Sequence, residues 1–373
     1  MEELNHKLHM NILNFDETRR KDWEQNRKPY SVLFELTARC NMNCIHCYLK
    51  DHHIDEDYLS FEEVKKIIDV LYEKGILFLT LTGGDVFTRK DFIDIYLYAK
   101  KKGFFVEIFT NGELMTDKDI EVFSQYPPLM IDISLYGADE KKYVEVTGRK
   151  NAFQKVISNC KKLKEANVRF SLKTPLLKQT LNELEKMQAL ATELGTVFAF
   201  SFELIPTIDG DASVIDCQLD YETMLRKEFA DFDKLTEAEK NVALGGEYNK
   251  YFEDSNDDRP LFICNVARNS FLIDYTGKIC PCMKLRHRGI KLESGNFDVI
   301  WKEYEKYGKM IASKNYKCSK CKARYQCSVC PAEMDLLYND FEHTVPDLCK
   351  VAYARYAFYD EGKSVEEAIA YIK

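Results

Sequence analysis

The chain has 373 residues, 45% of them hydrophobic and 31% charged, with a net charge of -8. That balance fits a globular protein with one large domain and a smaller appendage. No apolar run approaches a bilayer span, and Met1-Glu2-Glu3-Leu4-Asn5-His6 lacks the regions of a signal peptide, so a cytoplasmic protein without a membrane partner is expected. The acidic balance argues against a nucleic-acid partner, and Lys284 to Arg288 is read as a local basic patch only. Thirteen cysteines in a reducing compartment favour metal or cluster ligation over a disulfide framework.

Residues 1–30 read as an amino-terminal extension. Strands are predicted at Val32 to Leu36, Leu77 to Leu81, Phe105 to Phe109, Met130 to Ser134, Arg169 to Thr174 and Phe198 to Leu204. Each is near-continuously apolar, as burial on both faces demands. Amphipathic helices alternate with them; Ser60 with Glu63, and Thr180 with Glu183, form capping-box patterns at two helix starts. Six βα units imply an α/β fold, a partial (β/α)6 TIM-like barrel with functional loops at the carboxyl ends of its strands. The periodicity weakens after Pro206, and the acidic stretch from Glu253 to Pro260 reads as a linker. The barrel with its following connection is therefore assigned to residues 31–252, and a cysteine-rich domain with carboxyl-terminal helices to 253–373. The latter ends in an aromatic helix, Val351 to Tyr359, and another from Ser364.

Directly after the first strand comes Cys40-Asn41-Met42-Asn43-Cys44-Ile45-His46-Cys47. Three thiols sharing a four-iron cluster leave one iron without a protein ligand, open to a substrate or cofactor. The alternative is a zinc loop completed by His46, His52 or His53. This C-x3-C-x2-C spacing, followed by Gly83-Gly84-Asp85 after the second strand, resembles the radical S-adenosylmethionine (SAM) superfamily. The resemblance implies that Cys40, Cys44 and Cys47 hold a catalytic [4Fe-4S] cluster whose open iron binds the amino and carboxylate groups of SAM. Reductive cleavage, with an electron from an external donor, then gives a 5'-deoxyadenosyl radical that abstracts hydrogen. It further implies that His46 contacts the adenine end, that Gly83, Gly84 and Asp85 form the turn at the methionyl amine, and that Thr110, Asn111 and Ser134 stand near the ribose and methionyl groups. Arg149 and Lys173 are candidates to pair with the methionyl carboxylate, or are solvated surface charges.

Eight more thiols crowd the carboxyl-terminal third: Cys264, Cys280, Cys282, Cys318, Cys321, Cys327, Cys330 and Cys349. Gly277 with a G-x4-C step to Cys282, then Cys318-x2-Cys321-x5-Cys327-x2-Cys330 and a distant Cys349, resemble the SPASM domain of peptide-modifying radical SAM enzymes. The family run ends in C-x3-C, whereas two residues separate Cys327 from Cys330 here. The resemblance implies two auxiliary iron-sulfur clusters, the outer on Cys318, Cys321, Cys327 and Cys349 and the inner on Cys264, Cys282 and Cys330. Cys280 either completes the inner set or is a free thiol; a pair of zinc knuckles is the alternative to clusters. Cys160 lies on the apolar face of a helix with Phe153, Val156, Ile157 and Leu163 and reads as core.

The resemblance implies an enzyme that matures a ribosomally made peptide by hydrogen abstraction, leaving a thioether or carbon crosslink. Peptide epimerisation is the second expectation, with Cys217 as hydrogen donor. A sulfatase-maturing role is disfavoured because Met283 stands where that group places an acidic base. A zinc-bound, noncatalytic peptide-binding scaffold is the alternative of another class. With so short a stretch before the first strand, leader recognition is expected to fall to a separate partner or another surface. Glu203, Asp209 and Asp216 are carboxylates near the expected mouth without an assigned role.

Overall fold

The computed structural model describes residues 27–49, 54–236, 240, 260–264 and 266–373. His52, His53 and most of the expected linker lie outside them. Six parallel strands follow in order, β1 (Ser31–Thr37), β2 (Phe78–Gly83), β3 (Phe105–Thr110), β4 (Met130–Ser134), β5 (Phe170–Pro175) and β6 (Phe198–Ser201). All six expected strands are present, and β6 stops at Ser201 instead of reaching Leu204. The helices between them are α1 (Phe61–Glu73), α2 (Phe92–Lys102), α3 (Asp117–Gln125), α4 (Glu140–Thr147), α5 (Ala152–Glu165) and α6 (Leu184–Leu194), with α7 (Tyr221–Phe232) after β6.

The capping box of Ser60 and Glu63 at α1 forms in full. That of Thr180 and Glu183 does not. Thr180 turns its hydroxyl back to accept from the Leu177 amide at 3.1 Å, a 3-10 turn occupies Leu181–Glu183, and α6 begins only at Leu184. Two-sided apolar burial also fails as a description of the strands. In β4 the sequence Met130–Ser134 alternates half-buried and buried residues. Ile131 and Ile133 pack outward under the helices, while Ser134 faces an internal cavity. Cys160 on α5 is fully buried in the main core, as its face predicts.

The carboxyl-terminal region extends the same sheet. β7 (Ser270–Ile273) pairs in parallel with β1, and β8 (Lys278–Cys280) and β9 (Ile290–Lys291) continue antiparallel, giving the order β6-β5-β4-β3-β2-β1-β7-β8-β9. Strand β1 is thus flanked on both sides, and one apolar core runs from Val32 in the barrel to Ala332 in the cysteine-rich region. Helices α8 (Phe297–Glu303), α9 (Glu305–Lys309), α10 (Pro331–Tyr338), α11 (Pro346–Tyr359) and α12 (Val365–Ile369) complete the chain. Helix α11 packs its aromatic side on α7, with Phe229 and Phe358 stacked at 4.1 Å between ring centroids. Ser364 and Glu367 close a capping box at α12.

The basic run Lys284 to Arg288 is not a patch. Lys284 pairs with Glu333 at 2.5 Å, Arg286 with Glu35 at 2.6 Å, and His287 and Arg288 with Asp335 at 2.6 and 2.9 Å. Each charge is consumed in tying this loop to the barrel or to α10. Among the described residues, no helix is long and apolar enough to cross a membrane.

Candidate active site

The loop after β1 is fixed at both ends before it presents any thiol. Thr37 and Arg39 converge on Asp57, the guanidinium Nη2 reaching Asp57 at 2.6 Å and the Thr88 carbonyl at 2.9 Å. Farther along, the amides of Asn43 and Ile45 donate to the carbonyls of Thr147 and Val146 at the end of α4, at 2.9 and 3.0 Å. Cys40, Cys44 and, just past the second anchor, Cys47 line one cavity of about 360 Å³ at the carboxyl ends of the strands. Burial pushes the Cys40 thiol up to about 12, helped by Asp85. Burial, then the neighbouring Cys40 and Cys47, raises Cys44 well above the ordinary thiol range.

Gly83 and Gly84 line the same cavity where the turn after β2 crosses the loop after β1. A Cβ on Gly83, at φ +151°, would stand 2.3 Å from the Thr37 carbonyl oxygen, and one on Gly84 2.2 Å from that of Arg39. Only glycine permits this crossing. Thr110, Asn111, Ser134, Lys173 and His46 also line the cavity, with Tyr136, Glu203 and Met283. The His46 ring lies 5.1 Å from that of Tyr136, burial lowers it to about 4, and its Nδ1 is buried without a hydrogen-bond partner. Burial also lowers Lys173 to about 8, against the opposing pull of Asp132, 3.6 Å away.

Three expected site residues are placed elsewhere. Asp85 turns away from the cavity: its carboxylate accepts from the Phe87 amide at 3.0 Å and from the Thr110 hydroxyl and Asn111 amide at 2.7 Å each. Short and fully buried, it ties the turn after β2 to the end of β3 and does not line the cavity. Arg149 does not reach the cavity either; its guanidinium forks onto buried Glu113 at 3.0 and 3.1 Å. Cys217 lies half-buried with its Sγ 3.8 Å from the Ile45 carbonyl, outside the cavity lining. Of the unassigned carboxylates, Glu203 reaches the cavity, whereas Asp209 accepts from the Thr207 hydroxyl.

The remaining cysteines separate into two groups. Cys282 and Cys330, both half-buried, lie together and near Cys264; burial and then Cys330 push Cys282 up to about 12. Cys318, Cys321, Cys327 and Cys349 form the second group: burial and then Cys318 and Cys321 raise Cys349, and Cys327 lies near Cys318 and Cys349. Cys280 belongs to neither. It is buried at the end of β8, its Sγ 3.7 and 3.8 Å from the carbonyls of Lys278 and Arg286, under Gly289. Cys264 and Cys282 line a second pocket, also about 360 Å³, and Leu33 and Met283 line both this pocket and the first cavity. Among the described residues, no three His, Cys, Asp or Glu are gathered around a point for a single metal ion.

Sequence reading missed the buried partners. Glu35, fully enclosed on β1, is held by Arg286 at 2.6 and 3.0 Å and by the Tyr48 hydroxyl at 3.0 Å. The signal was there in a lone acid within Val32-Leu33-Phe34-Glu35-Leu36, a place that demands a partner. Glu113, holding Asn41 and Arg149, gave no comparable sign.

The thiol triad and the double-glycine turn both fall within residues 34–191, which match the family model described as "Radical SAM superfamily". Residues 34–191 are thus a radical SAM domain, an enzyme domain whose cofactors are SAM and a [4Fe-4S] cluster. Among curated relatives it is 26% identical over 351 residues to the AdoMet-dependent heme synthase of Methanosarcina barkeri, covering 90% of this chain and 98% of that protein. It is 25% identical over 264 residues to AlbA, the antilisterial bacteriocin subtilosin biosynthesis protein of Bacillus subtilis, covering 68% of this chain and 55% of that one. In fold it resembles Streptococcus suis SuiB bound to precursor peptide SuiA, with a TM-score of 0.63 at 17% identity over 86% of this chain and 76% of that one.

Proposed function

We propose that the enzyme matures a ribosomally made peptide, abstracting hydrogen from one of its residues and leaving a thioether or carbon crosslink. The observation that carries this reading is the shared wall of Leu33 and Met283 between the triad's cavity and the pocket of the inner thiols. A substrate side chain at Met283 would have the site of hydrogen abstraction on one side and the inner cysteine set on the other. Likeness to AlbA and to peptide-bound SuiB supports the same substrate class.

In this reading Cys40, Cys44 and Cys47 hold the catalytic cluster, Cys264, Cys282 and Cys330 the inner auxiliary cluster, and Cys318, Cys321, Cys327 and Cys349 the outer one. Cluster and SAM together supply one-electron cleavage of SAM and, from it, hydrogen abstraction. The chain binds, orients and excludes water. Gly83 and Gly84 expose backbone groups to the methionyl end, Ser134 offers a hydroxyl, and Lys173 offers a cation to a carboxylate. Neutral His46 and Tyr136 form an apolar aromatic wall fitted to adenine. Met283 stands in place of an acid, and Glu333 near Cys330 is paired with Lys284 at 2.5 Å, which argues against sulfatase maturation. Epimerisation through Cys217 lacks support because that thiol is outside the cavity.

The near full-length match to a heme synthase favours one second reading, modification of a tetrapyrrole. Anaerobic incubation of the reconstituted enzyme with reductant and SAM, first with cysteine-containing precursor peptides and then with porphyrins, separates the two. Loss of paired hydrogens from a peptide, with 5'-deoxyadenosine formed, supports maturation. A modified porphyrin with peptides unchanged overturns it.

A further inference from the structure

Arg149, displaced from the cavity, stands at the outer end of a hydrogen-bonded chain that finishes on a cysteine sulfur. Arg149 and Lys155 approach the carboxylate of Glu113, Lys155 at 3.3 Å. Oε2 of that carboxylate, which Arg149 Nε also reaches, accepts from Asn41 Nδ2 at 2.6 Å. Asn41 Oδ1 accepts in turn from Asn111 Nδ2 at 2.8 Å, and the same Nδ2 lies 3.8 Å from Cys40 Sγ. Asn111 Oδ1 meanwhile accepts from the Glu113 amide at 3.0 Å.

The chemistry of these groups fixes every direction in the chain. A carboxylate paired with two cations can only accept, so Asn41 must present its NH2 to Glu113 and its oxygen to Asn111. That oxygen, together with the Glu113 amide on the other side, leaves Asn111 one orientation, with an N–H aimed at Cys40. We propose that Glu113, Asn41 and Arg149 are positioning residues that hold Asn111 as a hydrogen-bond donor to the Cys40 thiolate, and that this bond sets the reduction potential of the catalytic cluster. An N–H bond to a ligand sulfur stabilises the more negative, reduced state and raises the potential. The Met42 amide, 3.4 Å from the same sulfur, is a second donor, fixed by the loop backbone. Asn111 is the adjustable one. The inference rests on Cys40 being a ligand of that cluster.

The test is a redox titration of the reconstituted enzyme without SAM, monitored by electron paramagnetic resonance. The catalytic cluster is identified in a parallel sample as the signal that SAM perturbs. Asn111→Leu removes the donor without changing charge and nearly without changing volume; the midpoint potential should fall while iron content persists. Asn41→Leu leaves the donor in place but removes its support, and should shift the potential in the same direction by less. An unchanged potential in Asn111→Leu at full iron content overturns the proposal. If that variant takes up no cluster, an unchanged potential in Asn41→Leu does so instead. Persistence of the SAM-perturbed signal in Cys40→Ala would show instead that the ligand assignment had failed.

Discussion

The two cysteine regions reach similar chemistry by opposite routes. The triad lies within eight residues of one loop, and anchors at Asp57 and Thr147 are enough to aim it into the cavity. The carboxyl-terminal groups are gathered from Cys264 to Cys349 and exist only once β7, β8 and α10 have docked on the barrel. Partial burial pushes Cys40 and Cys282 each up to about 12, so the metal-free protein keeps these protons and loading must release them. The contrast teaches that the first site is local and robust, while the second is a product of tertiary structure.

The largest expected effect strikes the local site. Changing Cys40, Cys44 and Cys47 together to Ala should abolish 5'-deoxyadenosine formation while auxiliary iron stays bound, as iron analysis and mass spectrometry will show. Undiminished SAM cleavage would end the catalytic assignment. Next comes the junction: Arg286→Met leaves Glu35 buried without its cation, and should cost about 3–5 kcal/mol in chemical denaturation. A loss under about 1 kcal/mol would mean that the two regions do not depend on this pair.

A smaller, selective effect is expected at Cys282. Its change to Ala should lower iron content and product formation yet leave substrate-free SAM cleavage intact; loss of both activities would merge the two sites functionally. At Lys173 the effect is a pH dependence. Its folded pKa is lowered from 10.5 to about 8, so the cavity's cation is present below pH 8 and lost as pH rises through it. SAM affinity measured by calorimetry should fall over that interval, and Lys173→Met should flatten the profile. By the same linkage, stability from this group rises with pH between about 8 and 10.5, because the unfolded chain binds the extra proton. The smallest effect belongs to Cys280→Ala, which should leave iron content unchanged because the thiol faces Gly289 and not Cys282.

The sequence made legible what depends on nearby residues. Six strands, the capping box at Ser60 and the thiol spacing are all local signals, and each appears in the structure. Long-range pairing was illegible. Nothing in Ser270–Ile273 announces that it will extend the barrel sheet beside β1, and nothing around Arg149 shows that Glu113 will claim it before a ligand can. Asp85 shows the same limit: its position in the chain fits the glycine turn, but its direction is set by Thr110 and Asn111 on another strand. Cys280 and Cys282, two residues apart, would share a face of a continuing strand, and they part only because β8 ends at Cys280.

The parallel pairing of Ser31 with Ser270 also has a consequence for biosynthesis. A nascent chain completes β1 through β6 well before β7 leaves the ribosome, so one margin of β1 stays unpaired through much of translation. An open strand margin invites intermolecular pairing, and closing so distant a contact is slow. The segment that terminates the barrel's exposed margin is the one that leads into the G-x4-C cysteine. Sealing the sheet and assembling the inner thiol group are therefore a single late event in the birth of the molecule.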